Sequence, residues 1–205
     1  MRNERQNEIK TPSKTASVIC KIVRVLTIPP LLIGLLLVAL YCVPSGVFHS
    51  FSSLLLSLLF LSVIPTLSYL VWAIVPKWRK EGRKSQRKLA FVFSIGGYFG
   101  GVIYALVAEL TWGLRVILFT YFVSVVILTL INKLTVFHAS GHGCGVTGPL
   151  LLPAFFLHPL WILPSLVMLG VVYLSSLVLK RHTLKELVAG SAAAVVAFVF
   201  CLIAV

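Results

Sequence analysis

"LRVILFTYFVSVVILTLIN", Leu114 to Asn132, is nineteen residues long and carries a single charge, Arg115, near its start. At about 1.5 Å per residue, a helix of this length nearly covers the roughly 30 Å hydrocarbon layer of a bilayer. Comparable apolar runs lie near residues 25–44, 51–75, 89–109, 143–158, 160–179 and 187–205. Of the 205 residues, 59% are hydrophobic and only 11% are charged, against roughly 25% charged in a soluble domain. A soluble core cannot hide so much apolar surface. Inside lipid the helix satisfies its own backbone, so the chain reads as an all-α, polytopic transmembrane helical bundle. The run at 143–158 is short and contains Pro149 and Pro153. The bundle is therefore expected to have seven spans, or six with a re-entrant segment.

The 18 Lys and Arg residues outnumber the 5 acids, for a formal charge of +13. Cations collect between the apolar runs. The first 22 residues, with Arg2, Arg5, Lys10, Lys14 and Lys21, read as a mobile polar tail, and residues 23–205 as one membrane domain. Further cations include Arg24, the seven of "PKWRKEGRKSQRK" (Pro76–Lys88), Lys133, and the set Lys180, Arg181 and Lys185. With seven crossings these all share one face, which the positive-inside rule makes cytoplasmic. Arg115 alone lies opposite, where Glu109 is expected to pair with it. Short basic loops between spans leave no case for nucleic-acid binding; the expected partner is the bilayer.

Every acid is a glutamate: Glu4, Glu8, Glu81, Glu109 and Glu186. Hard divalent metals want clustered carboxylate oxygens, and five scattered glutamates make no such cluster. Any hydrolysis is expected to be metal-independent. The cysteines Cys20, Cys42, Cys144 and Cys201 show no CxxC spacing and read as small packing residues.

Three stretches on the basic face carry chemistry when taken together. "KEGRKSQRK" places six residues between Lys80 and Arg87; "FHASGHGCGVTGP" contains Ser140-Gly141-His142; "SSLVLKRHTLKE" contains Ser175, Ser176, His182 and Glu186. In order and spacing the set resembles the type 2 phosphatidic acid phosphatase superfamily of lipid phosphatases, whose signatures are K-x6-R-P, P-S-G-H and S-R-x5-H-x3-D. Here Lys88 and Ala139 stand where those signatures have proline, Ser176 where they have arginine, and Glu186 where they have aspartate. Lys180 or Arg181 is expected to replace the missing guanidinium. The resemblance implies no metal or organic cofactor. As substrates it implies a lipid phosphate or polyprenyl pyrophosphate, with phosphatidic acid and phosphatidylglycerophosphate among the candidates.

The residues suit that chemistry. Lys80 and Arg87 can neutralise phosphate oxygens, the arginine bidentately. A helix starting at Ser140-Gly141 offers free N–H groups and a favourable dipole to an anion. His182 and Glu186, four apart, would share one helix face, the carboxylate fixing the tautomer of an attacking imidazole. His142 would then protonate the leaving oxygen and activate water. His138 is expected to support His142, while His49 and His158 are expected at the opposite boundary. "GGYFGG" (Gly96–Gly101) is read as a site of close helix contact. A non-catalytic lipid-phosphate binder or transporter on the same scaffold is the alternative, favoured by Ser176 and Glu186.

Overall fold

Prolines and helix caps set the punctuation of this chain. The computed structural model describes residues 13–205, whose regular structure is entirely helical. Ser13 accepts a hydrogen bond from the N–H of Ala16 and starts α1, Lys14–Leu26. Helix α2, Pro29–Cys42, opens on two prolines. Neither has an N–H to carry the α1 ladder forward, and the two helices meet at a 53° bend.

Helices α3 (Phe51–Leu58) and α4 (Ile64–Ile74) make one rod through a π-helical turn at Leu59–Val63. Pro65 cannot donate to the carbonyl four residues back and would collide with it, so a wider turn absorbs the fault. The short α5 (Pro76–Lys80) leads into α6 (Arg83–Val107), followed by α7 (Trp112–Leu134), α8 (Gly141–Phe156), α9 (Ile162–Val178) and α10 (Leu184–Ala204).

Five of these elements are long and apolar enough to cross a membrane: Phe51–Ile74, α6, α7, the segment Pro159–Val178 and α10. The bent α1–α2 pair makes up to six. The expected crossing at 143–158 is α8, whose 16 residues give about 24 Å, less than a full hydrocarbon layer. It still runs between the two ends of the bundle. Its first turn meets the start of α10, and Phe156 at its other end packs on Gly113 at the start of α7.

The core lies between α2, the π-helical turn and α7, where Ile33, Leu37, Leu61, Ile117 and Leu118 are fully buried. Large side chains such as Leu35, Leu70, Val92, Leu106, Leu163 and Phe200 are instead exposed on the outside. Water would not tolerate so continuous an apolar exterior, whereas lipid matches it.

Two expectations change. The boundary between tail and domain at residues 22 and 23 falls inside α1, a regular helix packed on α9; residues 1–12 of the expected tail lie outside the described residues. The helix forms because one face, at residues 16, 17, 20, 23 and 24, turns inward at helical spacing. Second, Glu109 and Arg115 do not pair. Among the described residues the one ion pair is His182–Glu186, and Nε of Arg115 is buried without a partner. Glu109 precedes the N-cap Thr111 while Arg115 lies inside α7, so they share no helical face.

The glycine-rich stretch of α6 packs as expected on the α3–α4 rod. A Cβ on Gly97 would come within 2.4 Å of the Phe60 carbonyl oxygen, whereas one on Gly96 would meet nothing within 4 Å. Gly97→Ala should therefore cost about 1–3 kcal/mol of stability, with Gly96→Ala close to neutral. Thermal unfolding of both variants in detergent measures the difference.

Candidate functional site

The end of α9 is built to throw the following residues sideways. Arg181 N–H donates to the Ser176 carbonyl at 2.9 Å and Lys180 N–H to that of Leu177 at 2.9 Å. This is the pair of bonds of a Schellman stop. The left-handed position falls on Lys180, with φ 49°, where glycine is usual. The strain of a side chain there is tolerated, and the turn brings the Arg181 backbone onto the Ser176 carbonyl.

His182 lies just before the N-cap of α10. Thr183 caps that helix by accepting the N–H of Glu186, and the Glu186 carboxylate reaches back to the N–H of Thr183. The same oxygen, Oε2, accepts from His182 Nδ1 at 3.0 Å. The expected pairing of His182 with Glu186 is present, but its cause differs from a shared helical face. Only Glu186 is helical; its side chain extends backward as the third residue of a capping box. The extra methylene of glutamate over aspartate suits that reach. With Nδ1–H held by the carboxylate, Nε2 carries the free lone pair.

His142 is brought to this place by backbone contact between α8 and α10. Ser140 N–H donates to the Glu186 carbonyl at 2.8 Å. A Cβ on Gly190 would fall 2.2 Å from the Ser140 carbonyl oxygen, and one on Gly143 would fall 2.8 Å from that of Leu187. Only glycine permits this approach. Asn132 clamps the preceding residue, accepting Ala139 N–H at 2.7 Å and donating to its carbonyl at 3.2 Å. Deeper in the bundle, Thr147 and Tyr173 both bond to Ser191, at 2.6 and 2.5 Å, tying α8, α9 and α10 together.

Ser140 itself is fully buried, and its hydroxyl accepts the Gly143 N–H as the cap of α8. Its expected role in binding thus passes to the backbone. With Gly143 and Cys144 bonded to Ser140, the first-turn N–H groups of Gly141 and His142 are those available to an anion. Nε2 of His142 is buried without a hydrogen-bond partner. His138 is exposed, and no hydrogen bond ties it to His142.

The residue that sequence reasoning missed is Arg24. From the inner face of α1, its Nη1 donates to Ser176 Oγ at 2.6 Å, across 152 residues of sequence. Its charge acts on both His142 and His182, and it lies close enough to Arg181 for the two cations to repel. Arg87 also acts on His182. Lys80 stands apart: it is exposed and lines a recess with Ala73, Ile74, Pro76 and Arg79, to which no residue of the histidine cluster contributes. The turn between α5 and α6 directs the two differently. Trp72 Nε1 and the Ser85 hydroxyl both hold the Gly82 carbonyl, at 3.1 and 2.9 Å, ending α5 just before α6 starts.

Burial holds the His182 imidazole below its ordinary pKa. The hydrogen bond to Glu186 opposes the shift, and the cations Arg24 and Arg87 add to it. His182 is thus kept neutral, with 15% of its side chain exposed to incoming molecules. Among the described residues no group of three or more His, Cys, Asp or Glu side chains gathers to hold a metal. Comparison of the chain with family models, with curated proteins and with solved structures returned no match.

The strained left-handed residue makes a direct prediction. Lys180→Gly should leave the fold intact and stabilise it by up to about 1 kcal/mol, since glycine adopts this conformation without the penalty of a Cβ. A rise in the thermal midpoint in detergent checks it.

Proposed function

We propose that this chain is an integral-membrane lipid phosphatase that hydrolyses a lipid phosphate or polyprenyl pyrophosphate through a phosphohistidine, without a metal ion. One observation carries the reading. Arg24 acts on both histidines, Arg87 acts on His182, and Arg181 lies close to Arg24, while the nearby carboxylate, Glu186, is held on the back of His182. Among the described residues no carboxylate pairs with these arginines, and such positive charge beside a partly buried histidine pair favours an anion. A phosphate, with several charged oxygens, matches it better than a carboxylate does.

The chemistry follows from the atoms present. Nε2 of His182 attacks phosphorus while the bond from phosphorus to the leaving oxygen breaks. His142 gives a proton to that oxygen, releasing the lipid alcohol, or the lipid monophosphate from a pyrophosphate. A proton on His142 would sit beside Arg24 and His182, so the bound phosphate's negative charge is what makes it favourable. Water then attacks phosphorus, His142 takes its proton, and the phosphorus–nitrogen bond breaks to release inorganic phosphate. First-turn N–H groups of Gly141 and His142 steady the charge building on the phosphoryl oxygens. The apolar tail stays between the helices and the lipid. The excess of cations at this end of the bundle supports a cytoplasmic side for the site.

The test is phosphate release in EDTA by the detergent-purified chain. Substrates would be polyprenyl pyrophosphate, phosphatidic acid and phosphatidylglycerophosphate in mixed micelles. His182→Ala should abolish release, and His142→Ala should slow it about 10²- to 10⁴-fold. Absence of turnover on all three, from folded protein that still binds phosphate, would make the chain a binder instead.

The pH profile adds a second check. Attack needs neutral His182, and its surroundings keep it neutral below its ordinary range. The rate should therefore fall in acid only below about pH 6.5. Glu186→Gln removes the group that favours the protonated ring, so its acid limb should move lower still, with the rate reduced about 10- to 100-fold.

A further inference from the structure

We infer that Arg24, delivered by helix α1, is an anion-binding residue of this site and occupies the role left open by a serine at position 176. The inference rests on the phosphatase reading for its substrate, a phosphorylated lipid, but on geometry for its placement. Ser176 is completely buried, and its hydroxyl receives the Arg24 Nη1–H at 2.6 Å. An arginine at 176 would put a second guanidinium where Arg24 already lies. A small hydroxyl instead leaves room and gives Arg24 an acceptor. The serine and the arginine are therefore complementary halves of one arrangement. That single bond uses one of five guanidinium N–H donors, and the rest, which bond to no other described residue, can fork onto phosphate oxygens.

The helix that carries Arg24 suits the task. Arg24 lies on the face of α1 that packs toward α9, with Cys20 one turn and Ser17 two turns earlier. On the outward side, Val18, Ile19, Ile22, Val25 and Leu26 are all more than half exposed. An apolar outer stripe on a helix joined at a 53° bend to α2 belongs against lipid. Docking of that stripe holds Arg24 over the site, so a lipid substrate meets its anion ligand at the surface from which it arrives.

The groups facing His182 are Glu186, Arg24, Arg87 and His142, and His142 also faces Arg24. Removing the Arg24 charge should therefore make His182 easier to protonate. A purely structural role for Arg24 would lower the rate without moving its pH dependence.

The experiment measures binding of inorganic phosphate to the detergent-solubilised full chain by calorimetry, alongside lipid-phosphate turnover across pH. Arg24→Gln should weaken phosphate binding about 10- to 100-fold, and the acid limb of its remaining activity should move to higher pH. Adding Ser176→Arg to that variant should recover part of the affinity. Arg24→Lys, which keeps charge and bulk, should hold the acid limb in place while losing several-fold in phosphate affinity with the fork. It also serves as the deciding variant if Arg24→Gln does not fold. Phosphate binding within twofold of wild type in both variants overturns the role of Arg24, even where wild-type turnover upholds the phosphatase reading. Conversely, wild-type phosphate binding that needs Arg24 but brings no turnover upholds the residue and removes the enzyme. A wild-type chain that does not bind phosphate at all overturns both.

Discussion

Everything at the candidate site depends on two helix starts touching backbone to backbone. Glycines at 143 and 190 let α8 and α10 close until the Ser140 N–H reaches the Glu186 carbonyl at 2.8 Å. A single methyl at Gly190 would fall 2.2 Å from the Ser140 carbonyl oxygen, so there is no slack to give. This contact brings His142, on the first turn of α8, to His182, just ahead of α10. It also aligns two helix N-termini at one spot, where their dipoles favour the same sign of charge. In lipid, where apolar side chains gain little by leaving their surroundings, such close backbone approach is what holds helices together.

Around that junction the electrostatics is deliberately unbalanced. Glu186 serves the Thr183 N–H and His182 Nδ1 with one oxygen, and among the described residues no carboxylate pairs with the arginines. Folding alone does not reward bringing Arg24 close to Arg181. A bound anion does, because each guanidinium then trades repulsion for charge-assisted hydrogen bonds. The strained Lys180 belongs to the same economy of position: it turns the chain so that Arg181 and His182 follow Ser176 at once.

Much of this was legible in the residues. His182, Glu186 and the Ser140-Gly141-His142 stretch are close in sequence to the elements that position them, and local chemistry brings them to the correct helix ends. The cause of the His182–Glu186 contact was less visible. A separation of four suggests one helical face, while Thr183-x-x-Glu186 is also a capping box, and the helix begins two residues too late for the first reading. Lys80 and Arg87 looked like one unit by spacing, yet a helix break at Gly82 separates them. Arg24 lay just past what read as a tail. Its signal was the helical spacing of its neighbours, together with a serine where the motif has arginine. Neither names a partner 152 residues away.

The sequence by itself determined the class of this protein. Runs of apolar residues near the length of a bilayer admit only helices, because lipid offers the backbone no other hydrogen-bond partner. It also determined which end of the bundle is charged, and that two histidines lie there. Tertiary structure alone decided which cations meet them. Helix spacing is a local, periodic property that a chain displays along itself, whereas the meeting of Arg24 with Ser176 depends on the 53° bend at Pro29-Pro30 and on the packing of α1 against α9. Contacts of that kind are settled by shape and charge across the bundle, and no stretch of sequence contains both partners.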